Sequence, residues 1–401
     1  MITFEGVTKR YPGGTVALDD VSLECPTGRI TVFVGTSGGG KTTALRTINR
    51  MVEPTSGRVL IDGRDVRERK PAELRRGIGY VIQHAGLFPH RTIIDNIATV
   101  PYLLSWNKKE ARDRAAELMK RVGLDPSMGK RYPFQLSGGQ QQRVGVARAL
   151  AADPPIMLMD EPFSAVDPVV RAELQDEFLR LQDELHKTIV FVTHDIDEAI
   201  KLGDRIAVFQ TGGRLVQLDS PENILAHPAD DFVAGFIGQN RGIRTLSFAG
   251  TGGLRLSDHA IRPASAGAAE AAGLEWVLVV DGERRPLGWV RPAEAAGPLG
   301  EAPLSPVGPT FQVGADSVRV ALDAAVLSPS GLAVGVDATG AVAGTAAGTD
   351  LLAVPTHGAR TANGAAEDDA AVAEDDAVAE DDAVAEDDDG AEAPSLSKDG
   401  G

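Results

Sequence analysis

ITVFVGTSGGGKTTALRTINRM, residues 30–51, decides how the rest of the chain reads. Its opening run, ITVFV (30–34), is unbroken and rich in β-branched residues, which predicts a strand buried on both faces. GTSGGGKT (35–42) then fits the spacing G-x-x-x-x-G-K-[ST], and TTALRTINRM continues as a helix. Gly35, Gly38, Gly39 and Gly40 let the backbone turn tightly and aim its N–H groups at phosphate oxygens, at a helix N-terminus whose dipole favours anions. Lys41 is placed to reach the β- and γ-phosphates and the Thr42 hydroxyl to ligate Mg²⁺. Thr36, Ser37 and Thr43 complete the expected nucleotide-binding set.

Two further segments add to this one. PIMLMDEP (155–162) reads as a second buried strand ending in two carboxylates, a costly arrangement unless they meet a cation or a polarised water. Asp160 is expected to hold Mg²⁺, and Glu161 to orient and deprotonate an attacking water. Alone, the pair also fits an ordinary salt-bridged strand end; behind a phosphate loop the catalytic reading takes precedence. LSGGQQQR (136–143) places Ser137 as an N-cap, Gly138 and Gly139 allow close approach, and QQQRVGVARAL, from Gln140, reads as the following helix. It is a capped helix start, and equally a second phosphate site.

Bulk properties set limits around these motifs. At 401 residues the chain predicts two domains and a tail. Its single cysteine, Cys25, excludes an internal disulfide framework and suits a reducing compartment. MITFEGVTKRYPGG at the N-terminus lacks an apolar signal core, and no uncharged apolar run reaches about 18 residues. The expectation is a chain that neither spans a membrane nor leaves the cytosol by a cleaved signal. Of the formal charge of −17, residues 361–401 hold −14, from fifteen carboxylates against Lys398, which leaves −3 for the rest. No basic stripe is present to follow a nucleic acid, so no nucleic-acid partner is expected.

The chain divides into three parts on composition. Residues 1–238 alternate buried-strand runs, including TIVFV (188–192), with helical segments at 108–122 and 169–186, an α/β pattern. Residues 239–355 turn to Ala, Gly, Val and Pro with short strand-like runs. WVLVVDGERRPLGWV (276–290) reads as strand, polar turn, strand, and 320–352 is expected to repeat that plan. The near-repeat EDDAAVA, EDDAVA, EDDAVA, EDDD in 356–401 is too charged to pack and predicts a disordered acidic tail. A solubilising role is the favoured reading of the tail, with ionic-strength sensing as the alternative.

GTSGGGKT, LSGGQ and MDEP in this order, followed by THD (193–195), resemble the nucleotide-binding domain of an ABC transporter over residues 1–238. The resemblance implies a P-loop NTPase fold of ABC type, ATP and Mg²⁺ as ligands, and a head-to-tail dimer. In such a dimer Ser137, Gly138, Gly139 and Gln140 face the partner's nucleotide. It further implies that Tyr11 stacks on adenine beside Val16, and that Gln83 touches Mg²⁺ and the attacking water and senses the membrane subunit. Asp167 would cross the dimer interface and His194 would contact the γ-phosphate. Val166 stands where the family more often has Leu.

RTINRMVEPTSGRVLIDG (46–63) and IGYVIQHAGLFPHRTIIDNIATVP (78–101) look most like ATPases of quaternary-amine osmoprotectant importers. That resemblance implies permease subunits, an extracytoplasmic binding protein, and a peripheral place on the cytoplasmic face of the cell membrane. Residues 239–355 resemble a degenerate, small α+β CBS pair. The alternatives are an ABC importer ATPase for an amino acid or polyamine, and a soluble ABC ATPase acting on nucleic acid or ribosomes.

Overall fold

The computed structural model describes residues 1–83, 86–164 and 166–354. The predicted tail, 356–401, lies outside the described residues. Strands β1 (Ile2–Arg10), β2 (Val16–Cys25), β4 (Ser56–Ile61) and β5 (Arg64–Asp65) form an antiparallel sheet in the order β2-β1-β4-β5. A six-stranded sheet is built from β3 (Ile30–Gly35), β6 (Ile78–Val81), β7 (Ile156–Asp160), β8 (Thr188–Val192), β9 (Arg205–Gln210) and β10 (Arg214–Asp219). Its order is β10-β9-β3-β8-β7-β6, parallel throughout except for β10.

The unbroken apolar runs follow from where this sheet sits. Ile30, Val32 and Val34 of β3 join one hydrophobic cluster, whereas Phe33 joins another. The same alternation puts Met157, Met159, Ile189 and Phe191 in the first cluster and Leu158, Val190 and Val192 in the second. Because successive side chains leave opposite faces of a strand, apolar residues are needed at both parities. The first cluster is closed by helices Lys108–Arg121, Gly138–Leu150 and Pro168–Leu185, and the second by the antiparallel sheet and helix Lys41–Ile48. Two of these helices match the expected 108–122 and 169–186 to within a residue at each end.

Residues Met1–Val354 make one compact unit. Its later part contains two three-stranded sheets of the same plan: β11 (Ile261–Pro263), β12 (Val277–Val280), β13 (Pro286–Val290), and β14 (Thr310–Gln312), β15 (Leu332–Val336), β16 (Val342–Ala347). In each the first two strands are parallel and the last two antiparallel. Leu278 and Trp289 of the first sheet share a cluster with Val334 and Val342 of the second.

Residues 320–327 do not extend the strand–turn–strand plan. They belong to helix Val318–Leu327, whose buried Val318, Ala321, Leu322 and Ala325 recur at helical spacing on one face. The repeated hairpin is β15–β16 alone. Among the described residues no helix is long and apolar enough to cross a membrane.

Candidate functional site

β3 runs directly into the glycine loop, which packs too closely for side chains at two points. Gly35 has φ +144°, and a Cβ there would lie 1.9 Å from the Phe209 carbonyl of β9. Gly40, at φ +82°, would meet the Ala17 carbonyl at 1.9 Å. Gly38 also lies at positive φ, and Gly39 donates its N–H to the Thr36 carbonyl at 3.1 Å. Lys41 opens the helix and folds back over the loop, its Nζ donating to the Gly35 and Thr36 carbonyls at 2.8 Å each. Burial pushes the Lys41 ammonium below the usual lysine range, against the opposing pull of Glu161 and Asp160. Ser37 is exposed, Thr43 half-buried, and the Thr36 hydroxyl pairs with that of Thr211 at 3.0 Å.

From the helix's second residue, the Thr42 hydroxyl donates to Asp160 Oδ1 at 2.8 Å. Asp160 ends β7 and is only 6% exposed. Its other oxygen has Arg46 Nη2 and Tyr80 Oη at 3.5 Å. The next residue, Glu161, takes a φ of +47°, sparsely populated for a side-chain-bearing residue. Its N–H donates to the Val192 carbonyl at 3.0 Å, and its own carbonyl accepts from the Ser164 hydroxyl at 3.0 Å. Gln83 Nε2 donates to Glu161 Oε2 at 3.3 Å, and His194 Nδ1 lies 3.2 Å from the same oxygen.

The remaining predicted residues lie around this centre in three places. Ser137 caps helix Gly138–Leu150, with its hydroxyl accepting from Gln140 N and Gln140 Oε1 accepting from Ser137 N, so the two close on each other. Gly138 and Gly139 are the helix's first two residues. Asp167 is exposed just before helix Pro168–Leu185, and its carbonyl accepts from Arg171 N at 2.8 Å. Tyr11 is 39% exposed beneath the Lys9 ammonium, 5.1 Å from its ring centre, and Val16 opens β2 opposite Arg10.

Sequence reasoning missed Tyr80 and Arg46 beside Asp160, and Ser164 behind Glu161. Tyr80 sits on a strand and Arg46 on a helix, in no recognisable spacing with Asp160, so only the fold brings them together.

The donor set suits Mg²⁺ on a phosphate substrate. Among the described residues no group of three or more His, Cys, Asp or Glu could hold a metal. Thr42 and Asp160 instead offer a hydroxyl and one carboxylate, the sparse oxygen set from which Mg²⁺ keeps water and substrate oxygens as ligands. The glycine loop, with a lysine ammonium at its centre, fits a polyphosphate.

A family model described as ABC transporter matches residues 18–164. The osmoprotectant import ATP-binding protein OsmV of Salmonella typhimurium is 48% identical over 308 residues, covering 74% of this chain and 80% of that protein. This chain belongs to the ABC transporter ATP-binding proteins. The choline transport ATP-binding protein OpuBA of Bacillus subtilis is 54% identical over 247 residues, 62% of this chain and 65% of that protein. The glycine betaine uptake system ATP-binding protein YehX of Escherichia coli is 50% identical over 248 residues, 62% and 80% respectively. Against the first relatives the chain spans just under two thirds of their length, 60–65%. The dimeric structure of a bacterial ABC transporter cassette superposes with a TM-score of 0.51 at 36% identity, over 55% of this chain and 99% of that one. A post-hydrolysis cassette dimer bound to ADP and Pi gives a TM-score of 0.50 at 35% identity, with the same coverage.

Proposed function

We propose that this chain binds and hydrolyses ATP to energise an importer of quaternary-amine osmoprotectants such as glycine betaine. The observation that carries the ATPase reading is the convergence of Gln83 and His194 on the Glu161 carboxylate, beside the Thr42–Asp160 pair. The solute class is supported by relatives whose names specify choline, carnitine, glycine betaine or osmoprotectants.

In this reading Glu161 accepts the proton of the attacking water, while Gln83 and His194 orient that water and the γ-phosphate. Lys41 leaves its loop carbonyls for the β- and γ-phosphate oxygens, exchanging dipoles for full opposite charge. The loop from Gly35 to Thr43, including Thr36, Ser37, Gly38, Gly39 and Gly40, supplies backbone N–H groups, and Tyr11 with Val16 takes the adenine. Thr42 and Asp160, with Gln83 alongside, would hold Mg²⁺, which when bound neutralises charge on the transferred phosphoryl group. Ser137, Gly138, Gly139, Gln140 and Asp167 serve the nucleotide of a second copy in a head-to-tail dimer.

Permease subunits would receive the closure near Gln83, and an extracytoplasmic binding protein would select the solute. The chain would then sit peripherally on the cytoplasmic face of the membrane. The paired sheets of residues 239–354 support reading that region as a CBS-pair-like regulatory module. Reconstitution with its permease and binding protein tests the whole reading. ATP-dependent uptake of glycine betaine, choline or carnitine is expected; uptake of an amino acid or polyamine instead would overturn the solute assignment.

A further inference from the structure

A cleft of about 540 Å³ lies where the cassette meets the later region, within the range of about 300–1,000 Å³ usual for ligand sites. Its walls come from helix Ile196–Leu202, from residues 240–248, and from the first turn of helix Val318–Leu327. These three segments are fastened to one another. Arg244 pairs with Asp197 and also donates to the Ile237 carbonyl. The backbone N–H groups of Val318 and Arg319 donate to the Ala249 and Leu246 carbonyls at 2.7 and 3.1 Å. Ile200 and Phe248 supply apolar wall and pack against the main cassette core. The cleft is therefore already built before any ligand arrives.

Its polar lining is rich in donors left unspent. Arg319 commits only Nε, to Asp323 at 3.1 Å, so its two terminal nitrogens have no partner among the described residues. The side chains of Asn240 and Ser247 line the cleft and likewise hydrogen-bond no described residue. Lys201 directs Nζ to Asp176 at 2.7 Å and to the Ala172 carbonyl at 3.5 Å, which leaves one of its three donors. Among the described residues Asp197 is the one carboxylate in the lining, and Arg244 occupies both of its oxygens. The Asp176 and Asp323 side chains are 69% and 55% exposed, so water screens their hold on Lys201 and Arg319.

We propose that this cleft binds a phosphate group, as free inorganic phosphate or as a phosphate monoester. Its free donors come from three separate segments, and a tetrahedral phosphate accepts from several directions at once. A carboxylate accepts mostly in its own plane and would leave part of the set unpaired. Phosphate also carries about −1.5 to −2 charge at pH 7, which suits the two cations, and the free Arg319 nitrogens form the fork that pairs with it bidentately. An occupant would join Lys201, on the helix that follows His194, to Arg319 of the later region, and so tighten the junction between them. The site is separate from the glycine loop and depends on no role given to a residue there.

Calorimetry on the full-length chain carrying K41A, which weakens any phosphate signal from the glycine loop, tests this. At constant ionic strength inorganic phosphate should bind saturably with a Kd near about 1 mM, and sodium chloride should give no signal. R319Q in that background should weaken binding at least about tenfold and N240A/S247A about threefold, with R319K recovering part of the loss. Phosphate should also slow proteolysis near residues 238–246, and R319Q should abolish that protection. Tighter binding of glycerol 3-phosphate than of inorganic phosphate identifies the monoester as the ligand, and the reverse order identifies the free ion. Absence of saturable binding up to about 10 mM, or an affinity unchanged in both R319Q and N240A/S247A, would overturn the proposal. Should R319Q fail to fold, as read by its unfolding midpoint, N240A/S247A decides on the same criteria.

Discussion

Glu161 carries its carboxylate on backbone bent into the left-handed region, and the Val192 and Ser164 contacts hold that bend. A carboxylate so oriented already meets its two neighbours, Gln83 and His194. Glu161→Gln keeps the shape and the hydrogen bonds but removes the proton acceptor. It should bind ATP normally and lose about 10²–10⁴-fold in turnover; normal turnover in a phosphate-release assay would refute the assignment. Lys41→Ala, by contrast, should weaken nucleotide binding itself.

Glu198 offers a prediction in pH. Burial raises its pKa, opposed by hydrogen bonds from Thr193 and Gln175, the latter at 3.0 Å. The folded state thus binds this proton more tightly than the unfolded state. Its contribution is fully present below the ordinary glutamate value, about 4.3, and is lost as pH rises through the higher folded value. Glu198→Gln should therefore gain in thermal midpoint relative to wild type at neutral pH, and the gap should close on acidification. A pH-independent gap in calorimetry would contradict this. Of these residues, Gln83, Glu161 and His194 were legible through the resemblance that orders their motifs. Glu198, Tyr80 and Arg46 were not, because their meaning comes from burial and neighbours that no local spacing encodes.

Among elements, the glycine loop is the most tightly fitted. Gly40→Ala would place a methyl group against the Ala17 carbonyl and hold alanine at φ +82°. The expected cost is at least about 2 kcal/mol, read as a lowered denaturant midpoint with an unchanged slope. The parallel strands were readable as continuous apolar runs because both of their faces are covered. The N-terminal antiparallel sheet was not, since β1 is only half-buried and its register shifts three times against β2, which breaks the period-two signal. Helix Val318–Leu327 escaped for another reason: Ala and Val serve a short helix and a strand alike, and the neighbouring hairpin biased the reading.

Across the whole molecule, the later sheets are tied to the cassette beside the segment that bears His194. Arg244 forms a bidentate pair with Asp197 at 2.6 and 2.9 Å, on the helix that Asp195 caps, and Phe248 packs against the main cassette core. The Arg244 side chain is 18% exposed but that of Asp197 is 66% exposed, so solvent screens the pair from the aspartate side and its bidentate geometry matters more than its charge. Arg244→Ala should loosen this junction while leaving the cassette folded. Limited proteolysis should then cut near residues 238–246 faster than in wild type, and equal cutting rates would show that the pair does not hold the junction. The change of texture near residue 239 was visible in composition, but this tie was not, because Asp197 and Arg244 lie in unrelated stretches.

The reciprocal cap formed by Ser137 and Gln140 bears on timing. A helix end already closed by its own side chains has no ordering left to do when a second copy arrives, so little conformational entropy is lost on contact. Closure between two such surfaces should be quick, governed by how often they meet with nucleotide in place. If the chain pairs as proposed, the slow event would then fall on separation, and the lifetime of the closed pair would be set by the phosphate between its halves. A pair of that kind would keep time by how long it stays shut.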